Sequence, residues 1–399
     1  MTPPAYRHVV LALSLFAAVG SSVVHMGVPF LIPSLQARGL SLSTAGLIAS
    51  MPAAGVVVTL IAWGWFVDRF GERAALTTGL AATAITSGAA AWAASQSEVL
   101  LAAGLFLAGC SAASVNSASG RVVSGWYPPE QRGTAMGIRQ MAQPLGAALS
   151  AVTLHPIASS QGIGVALLVP TLLCAALAVA VFIGVRDPAR PSASDAGFAV
   201  AAANPYRGQR YLVRIHCASA LLSWPQSMMG SYILVWLLHV GYDSATAASI
   251  AMLSQLLGAG SRAGMGFVSD RVRSRIRPYR WVAATTLAIA LATALADWAQ
   301  WRGIATVLMC ALAVAVVSPN GLAFTAVAEY AGPFWSGRAL GTQNTFQNIV
   351  YAATPPLAGA IVATAGFPAL LVATAALPAA ALAIAPREDR SRHGRVELR

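Results

Sequence analysis

The sequence contains no lysine, and charge of either sign is scarce: Asp, Glu, Lys and Arg make up only 10% of its 399 residues. A soluble protein of this size carries about 25%. So few charges cannot dress the surface of a large water-soluble fold, and the apolar surface has to face lipid instead. Cysteine is nearly absent too. Cys110, Cys174, Cys217 and Cys310 each fall in an apolar run, without metal-ligand spacing or an exposed pair, which excludes a metal centre and a disulfide framework. There is no glycine-rich phosphate loop and no cluster of metal-ligating residues. No cofactor and no enzyme activity are expected.

Hydrophobic residues form 57% of the chain. At about 20 residues per spanning helix, this length allows roughly twelve spans. Apolar runs lie at 8–35, 43–67, 74–94, 98–126, 132–158, 162–185, 211–240, 244–269, 281–299, 303–330, 337–363 and 367–386. The reading is an all-α, twelve-span, multi-pass membrane protein. The first run follows Tyr6-Arg7-His8 and is too long for a signal-peptide core, so it is expected to be a retained helix.

The net charge of +12 is carried by arginine alone. If connections alternate sides, Arg38 and Arg302 fall on one side, and Arg139 and Arg262 fall inside spans. All other arginines lie on or near the opposite side, with both termini. That is the positive-inside pattern, predicting cytoplasmic termini in a cell inner membrane. The basic balance thus records topology and a lipid-bilayer partner, with no nucleic acid implied.

The longest polar interruption, 186–210, contains Arg186-Asp187-Pro188, Ser192, Ser194 and Asn204-Pro205. It reads as a cytoplasmic linker between a bundle over 1–185 and a second over 211–399 with a short tail. The halves repeat. Gly64-Trp65-Phe66-Val67-Asp68-Arg69 ends the second run, and Gly266-Phe267-Val268-Ser269-Asp270-Arg271 ends the eighth. Asn116 matches Asn320, and Gly137 matches Gly341, at nearly the same offset. Internal repeats of this kind mark secondary transporters, whose sites lie where the repeats meet.

These residues resemble the major facilitator superfamily, whose loop signature after the second helix is Gly-x-x-x-Asp-Arg-x-Gly-x-Arg. Gly64, Asp68, Arg69, Gly71 and Arg73 occupy those positions, and Gly266, Asp270 and Arg271 repeat part of it. The resemblance implies two six-helix bundles that alternately open a central site to each side. Gly125 to Gly137 also looks like the fourth-to-fifth connection of its organic-anion branches. A tight loop suits Gly71. An aspartate at Asp68 can cap the amino end of a neighbouring helix, where backbone N–H groups and the dipole favour an anion. The resemblance implies that this neighbour is the eleventh helix and that the contact gates the inner side. The sequence departs from the family at Glu72, where a basic residue is common, and at Arg121, where an acid is common. A swapped Glu72–Arg121 pair is expected, and Glu329 is expected to pair with Arg273 or Arg275.

Depth within a helix follows from its rise of about 1.5 Å per residue. Arg262 lies roughly 12 Å inward of Asp270, Arg139 about 10 Å inward of Arg132, and Asn116 and Asn320 near the midplane. An arginine so deep is costly unless paired or hydrated. The acids fall elsewhere. Glu98, Asp243 and Asp297 lie near the outer face, and the remainder of the thirteen at or near the inner one. An anionic substrate held by a planar guanidinium is therefore expected. The repeat places Leu60 opposite Arg262 and Gln343 opposite Arg139, so neither arginine is a shared scaffold residue. Arg262-x-x-x-Gly266 resembles monocarboxylate transporters and oxalate–formate antiporters, in which that arginine binds carboxylate. The antiporters' lysine on the eleventh helix has no counterpart here. His25, Gln143, Gln226, Gln255, Gln347 and Tyr351 complete the candidate substrate-binding set, His25 also as a proton carrier.

Plainer readings stand beside these. Arg262 can bond backbone carbonyls, Arg139 can snorkel, and Asn116 and Asn320 can tie helices together. The expected function is secondary transport of a small, monocarboxylate-like anion by a monomer, with proton symport or anion exchange. The alternative is a multidrug or metabolite exporter working by proton antiport.

Overall fold

A computed structural model describes residues 6–188, 202–207 and 209–390. Parts of the linker and the end of the tail, 189–201, 208 and 391–399, lie outside the described residues. Among the described residues the regular structure is helical. In order it comprises α1 (Tyr6–Gly27), a 3₁₀ turn (Val28–Leu31), α2 (Ile32–Ala37), α3 (Leu42–Phe70), α4 (Glu72–Ala93), α5 (Glu98–Trp126) and a 3₁₀ turn (Pro129–Gln131). It continues with α6 (Arg132–Gln140), α7 (Ala142–Gln161), α8 (Ile163–Gly184), α9 (Tyr211–His239), α10 (Ser244–Val272) and α11 (Ile276–Trp298). It ends with α12 (Arg302–Val317), α13 (Pro319–Ala331) and α14 (Ser336–Ile384).

These helices make twelve spans, because several spans are broken and one helix is two. Pro29 and Pro33 break the first span. The fifth divides into α6 and α7 at Met141, and the tenth into α12 and α13 at Ser318. Both breaks lie just before a proline, Pro144 and Pro319, which cannot donate to the preceding turn. α14 joins the last two spans and turns at Gly366, whose φ of 80° is left-handed. The apolar runs thus found the spans, and the Gln143-Pro144 step pointed to a bend in the fifth, whereas hydropathy alone does not mark the other breaks. Among the described residues, eight helices are long and apolar enough to cross a membrane. Their outward side chains are apolar: Ile85 is 72% exposed and Ile183 73%, as lipid-facing positions require.

The chain forms two compact units. The first is Met1–Pro128, Met141–Ala203 and Ala331–Asn344; the second is Pro129–Gln140, Asn204–Tyr330 and Thr345–Arg399. Each half of the sequence therefore lends a short segment, α6 or the start of α14, to the unit built mainly from the other half.

In the first unit α5 packs on α3, α4 and α1, and α4 also packs on α8. The contacts are made by small residues, as expected where lipid gives no hydrophobic drive for helix association. Its core includes Ala17, Ala75, Leu76, Ala108, Ala112 and Val181. In the second unit α10 packs on α6 and α12, and α11 on α12. Trp236, Ala290, Met309 and Leu312 are in its core.

Candidate functional site

The signature aspartates each cap a helix within their own unit. Asp68 accepts bonds from the backbone N–H groups of Gly337 (2.9 Å) and Arg338 (3.1 Å), the first turn of α14, and from Arg338 Nε at 2.8 Å. Asp270 accepts from the backbone N–H groups of Gly133 (2.9 Å) and Thr134 (2.7 Å), the first turn of α6, and from the Thr134 hydroxyl at 2.7 Å. Both contacts place a carboxylate on unsatisfied N–H groups at a positive dipole end.

The glycines explain how the backbones come so close. A Cβ on Gly64 would lie 2.5 Å from the Gly337 carbonyl oxygen, and one on Gly266 would lie 2.1 Å from that of Gly133. One turn further in, Gly341 meets Leu60, and Gly137 meets Arg262, with similarly little room. Gly71 ends α3 with φ of 97°, a turn that side chains resist.

Charges surround these caps. Glu72 and Arg121 form a buried ion pair. Glu72 begins α4 and Arg121 lies near the end of α5, so each suits its helix dipole. Arg275 binds Asp270 at 2.6 Å, Glu329 at 3.2 Å and the carbonyl of Pro129. Glu329 also lies 3.7 Å from Arg132. Glu329 thus takes Arg275 of the two partners expected. Arg73 donates from Nε to the Phe182 carbonyl and stacks on the Phe182 ring. Arg69 and Arg271 are exposed, Arg69 lying over Trp65 and Phe70.

Deeper in the second unit, five of the candidate binding residues form two groups, Arg262 with Arg139 and Tyr351, and Gln226 with Asn320. Arg262 and Arg139 are buried, at 4% and 3% exposure. Arg262 Nη1 donates to the Gln140 carbonyl at 2.5 Å. That carbonyl lies four residues before Pro144, which has no N–H to offer it. Arg139 donates to the Gln140 side chain at 2.6 Å and lies over the Phe324 ring, 5.6 Å from its centroid. The two guanidinium groups act on each other electrostatically, as do Arg262 and the Tyr351 hydroxyl. The same proline logic recurs at Tyr351. Its carbonyl would bond to the N–H of residue 355, which is proline, and Ser227 Oγ donates to it at 3.2 Å. Beside Ser227, Gln226 Oε1 accepts from Asn320 Nδ2 at 3.0 Å, both side chains buried.

Gln347 is buried one turn before Tyr351 on α14. Gln255 is exposed on α10 and joins none of these contacts. In the first unit Asn116 on α5 and Gln143 on α7 are half-buried. His25, also half-buried, donates from Nδ1 to the Ser21 carbonyl at 2.8 Å. In the neutral ring that leaves Nε2 as the basic nitrogen.

Comparison with known proteins follows the same line. The Major Facilitator Superfamily model matches residues 10–355. The chain belongs to the major facilitator superfamily. It is 46% identical to an uncharacterized MFS-type transporter of Mycobacterium tuberculosis over 384 residues, 95% of this chain and 85% of that protein. It is 24% identical to the hexuronate transporter of Bacillus subtilis over 260 residues, 63% of this chain and 60% of that one. Among solved structures, the human organic anion transporter MFSD10 superposes with a TM-score of 0.73 at 20% identity, over 96% of this chain and 100% of that one. This superfamily member is therefore a multi-pass membrane protein and a secondary transporter of a small molecule, not an enzyme.

Sequence reasoning missed two acids in this superfamily member. Asp187 accepts from the Arg73 backbone N–H at 2.7 Å at the start of α4. Asp389 accepts from the backbone N–H groups of Arg275 (2.8 Å) and Ile276 (3.1 Å) at the start of α11. They differ in number by the same 202 residues as Asp68 and Asp270, and that offset was the signal available.

Proposed function

We propose that this transporter carries a small organic anion with a carboxylate group across the inner membrane by alternating access. The two repeats at 1–185 and 211–399 are the moving bundles, joined through 186–210, with both termini in the cytoplasm. The observation that carries the reading is the Arg262–Arg139 pair. Two like charges share one buried site, Arg262 on the Gln140 carbonyl and Arg139 on the Gln140 side chain. The acids Asp270, Glu329, Asp297 and Asp389 of the same unit are engaged elsewhere. Holding two guanidinium groups in a lipid-spanning core is expensive. A carboxylate that binds them bidentately offsets that cost. The relatives named for hexuronate and organic anions support the same class.

The capped ends of α14 and α6 are the inner gate in this reading, with Gly64, Asp68, Arg69, Gly71, Glu72, Arg73, Arg121, Gly266, Asp270, Arg271 and Glu329 shaping it. Gln143, Gln226, Gln347, Asn116 and Asn320 add polar lining, and Gln255 belongs to that set only if α10 turns in the cycle. His25 is the candidate proton carrier for a symport with the anion; exchange against a second anion needs no such group.

The test is counterflow of labelled monocarboxylates in proteoliposomes. Wild-type protein is expected to exchange them, and Arg262→Ala to abolish exchange. Undiminished exchange in that variant removes Arg262 from the site. Inhibition by organic cations but not by carboxylates turns the assignment to the exporter class.

A further inference from the structure

We propose that the preferred anion is a hydroxylated carboxylate, and that the Gln226–Asn320 amide pair reads its hydroxyl groups. The proposal rests on the anion reading above and adds the substrate's other end.

An asparagine or glutamine amide carries two N–H donors and an oxygen with two lone pairs. When Asn320 Nδ2 donates to Gln226 Oε1, the pair keeps the Asn320 amide oxygen and the Gln226 NH₂ for a ligand. A hydroxyl group donates and accepts at once, so a single hydroxyl or a vicinal pair satisfies both. An alkyl chain satisfies neither and strands two desolvated polar groups. Sites built to bond a hydroxyl reject analogues that lack it far more strongly than apolar pockets reject an extra group.

Two routes tie the amide pair to the guanidinium groups. Asn320 and Phe324 are four residues apart on α13, on one face of the helix, and Arg139 lies over the Phe324 ring. On the other side, Ser227 follows Gln226 and donates to the backbone carbonyl of Tyr351, a residue within electrostatic reach of Arg262. The amide pair is thus about one helical turn, ~5.4 Å, along α13 from the ring that Arg139 covers. That spacing suits a four- to six-carbon hydroxy acid, with its carboxylate at the arginines and hydroxyls from the third carbon outward at the amides.

The repeat argues against mere helix glue. Offsets of 202 and 204 from Gln226 reach Val24 and Ser22, so no amide pair recurs in the first repeat although Asn116 does. The pair is confined to the half that also holds Arg262.

The experiment compares gluconate and glucuronate with hexanoate, which has the same carbon count and no hydroxyl, in counterflow by the wild type, Asn320→Ala and Gln226→Ala. All proteins are first checked for monodispersity. Wild type is expected to show at least a tenfold higher kcat/KM for the hydroxylated acids, and each variant to shrink that ratio at least tenfold. Equal efficiency for both acid types in the wild type overturns the proposal while leaving the anion reading standing. So does a ratio that the variants leave unmoved, which is the signature of glue. Transport of no carboxylate at all overturns both.

Discussion

At the scale of single residues, proline does unusual work by withholding hydrogen bonds. Pro144 leaves the Gln140 carbonyl without a helical donor, and Pro355 does the same for Tyr351. Arg262 and Ser227 supply the missing donors. A charge-assisted bond of this type contributes about 1.5–3 kcal/mol. Pro144→Ala restores an N–H at 144 that competes for the Gln140 carbonyl and loosens the Arg262 fork. The expected result is a KM raised by roughly tenfold, since about 1.4 kcal/mol is a factor of ten, with kcat changed much less; an unchanged KM in counterflow would refute the link. The Glu72–Arg121 pair invites a second test. Removing either partner leaves a buried charge, which costs about 3–5 kcal/mol, so Glu72→Ala should melt well below the wild type in detergent. The exchanged pair, Glu72→Arg with Arg121→Glu, restores the attraction but opposes both helix dipoles. Its stability and transport should recover only in part, above either single variant. The Glu72–Arg121 contact was legible because two departures from a family pattern were complementary in sign. The proline–carbonyl relations were not, because sequence shows that Pro144 frees a carbonyl without showing which side chain arrives.

At the scale of helices, one device is used four times among the described residues: an acid caps the first turn of a neighbour. Asp68 caps α14, Asp270 caps α6, Asp187 caps α4 and Asp389 caps α11. The first two hold segments that each come from the other half of the sequence, whereas the last two hold helices of the same half. The pairs should therefore respond differently to mutation. Asp68→Asn loses the charge at a helix amino end, an effect of about 0.3–1 kcal/mol for the dipole alone and more with the Arg338 bond. If α14 must leave Asp68 for the inner side to open, thiol labelling of a Ser336→Cys probe in a cysteine-free background should speed up several-fold in Asp68→Asn, while melting changes little. Asp187→Asn should do the reverse, lowering stability and leaving labelling unchanged. Equal labelling in both variants would falsify the division. Asp68 was legible from its motif. Asp187 and Asp389 sit among linker and tail residues that read as solvated loop, and only their common offset set them apart. The breaks at Met141 and Ser318 escaped hydropathy for another reason: a proline alters hydrogen bonding without lowering the apolar average of its window.

At the scale of the whole molecule, the repeats preserve the scaffold and abandon symmetry at the proposed binding site. Aspartate caps and close glycine contacts recur, but Arg262 corresponds to Leu60 in the repeat, and Arg139 to Gln343. Hydropathy and duplication made the spans and the repeat readable, while the site's positive charge was readable only by finding no acid at its depth. That charge has an energetic consequence for coupling. Moving one negative charge into a cell against 100 mV, inside negative, costs about 2.3 kcal/mol, so at equilibrium an uncoupled anion would stand about fiftyfold below its outside concentration. Co-transport of one proton, for which His25 is the candidate, cancels the charge and exchanges this penalty for a pH-gradient drive. Proteoliposomes with a potassium diffusion potential separate the cases. Electroneutral symport predicts accumulation that follows an imposed pH gradient and ignores the potential, and His25→Gln should abolish that response while leaving exchange of labelled for unlabelled anion intact. Accumulation that follows the potential and ignores pH would instead assign the chain to charge-moving transport and remove His25 from the cycle.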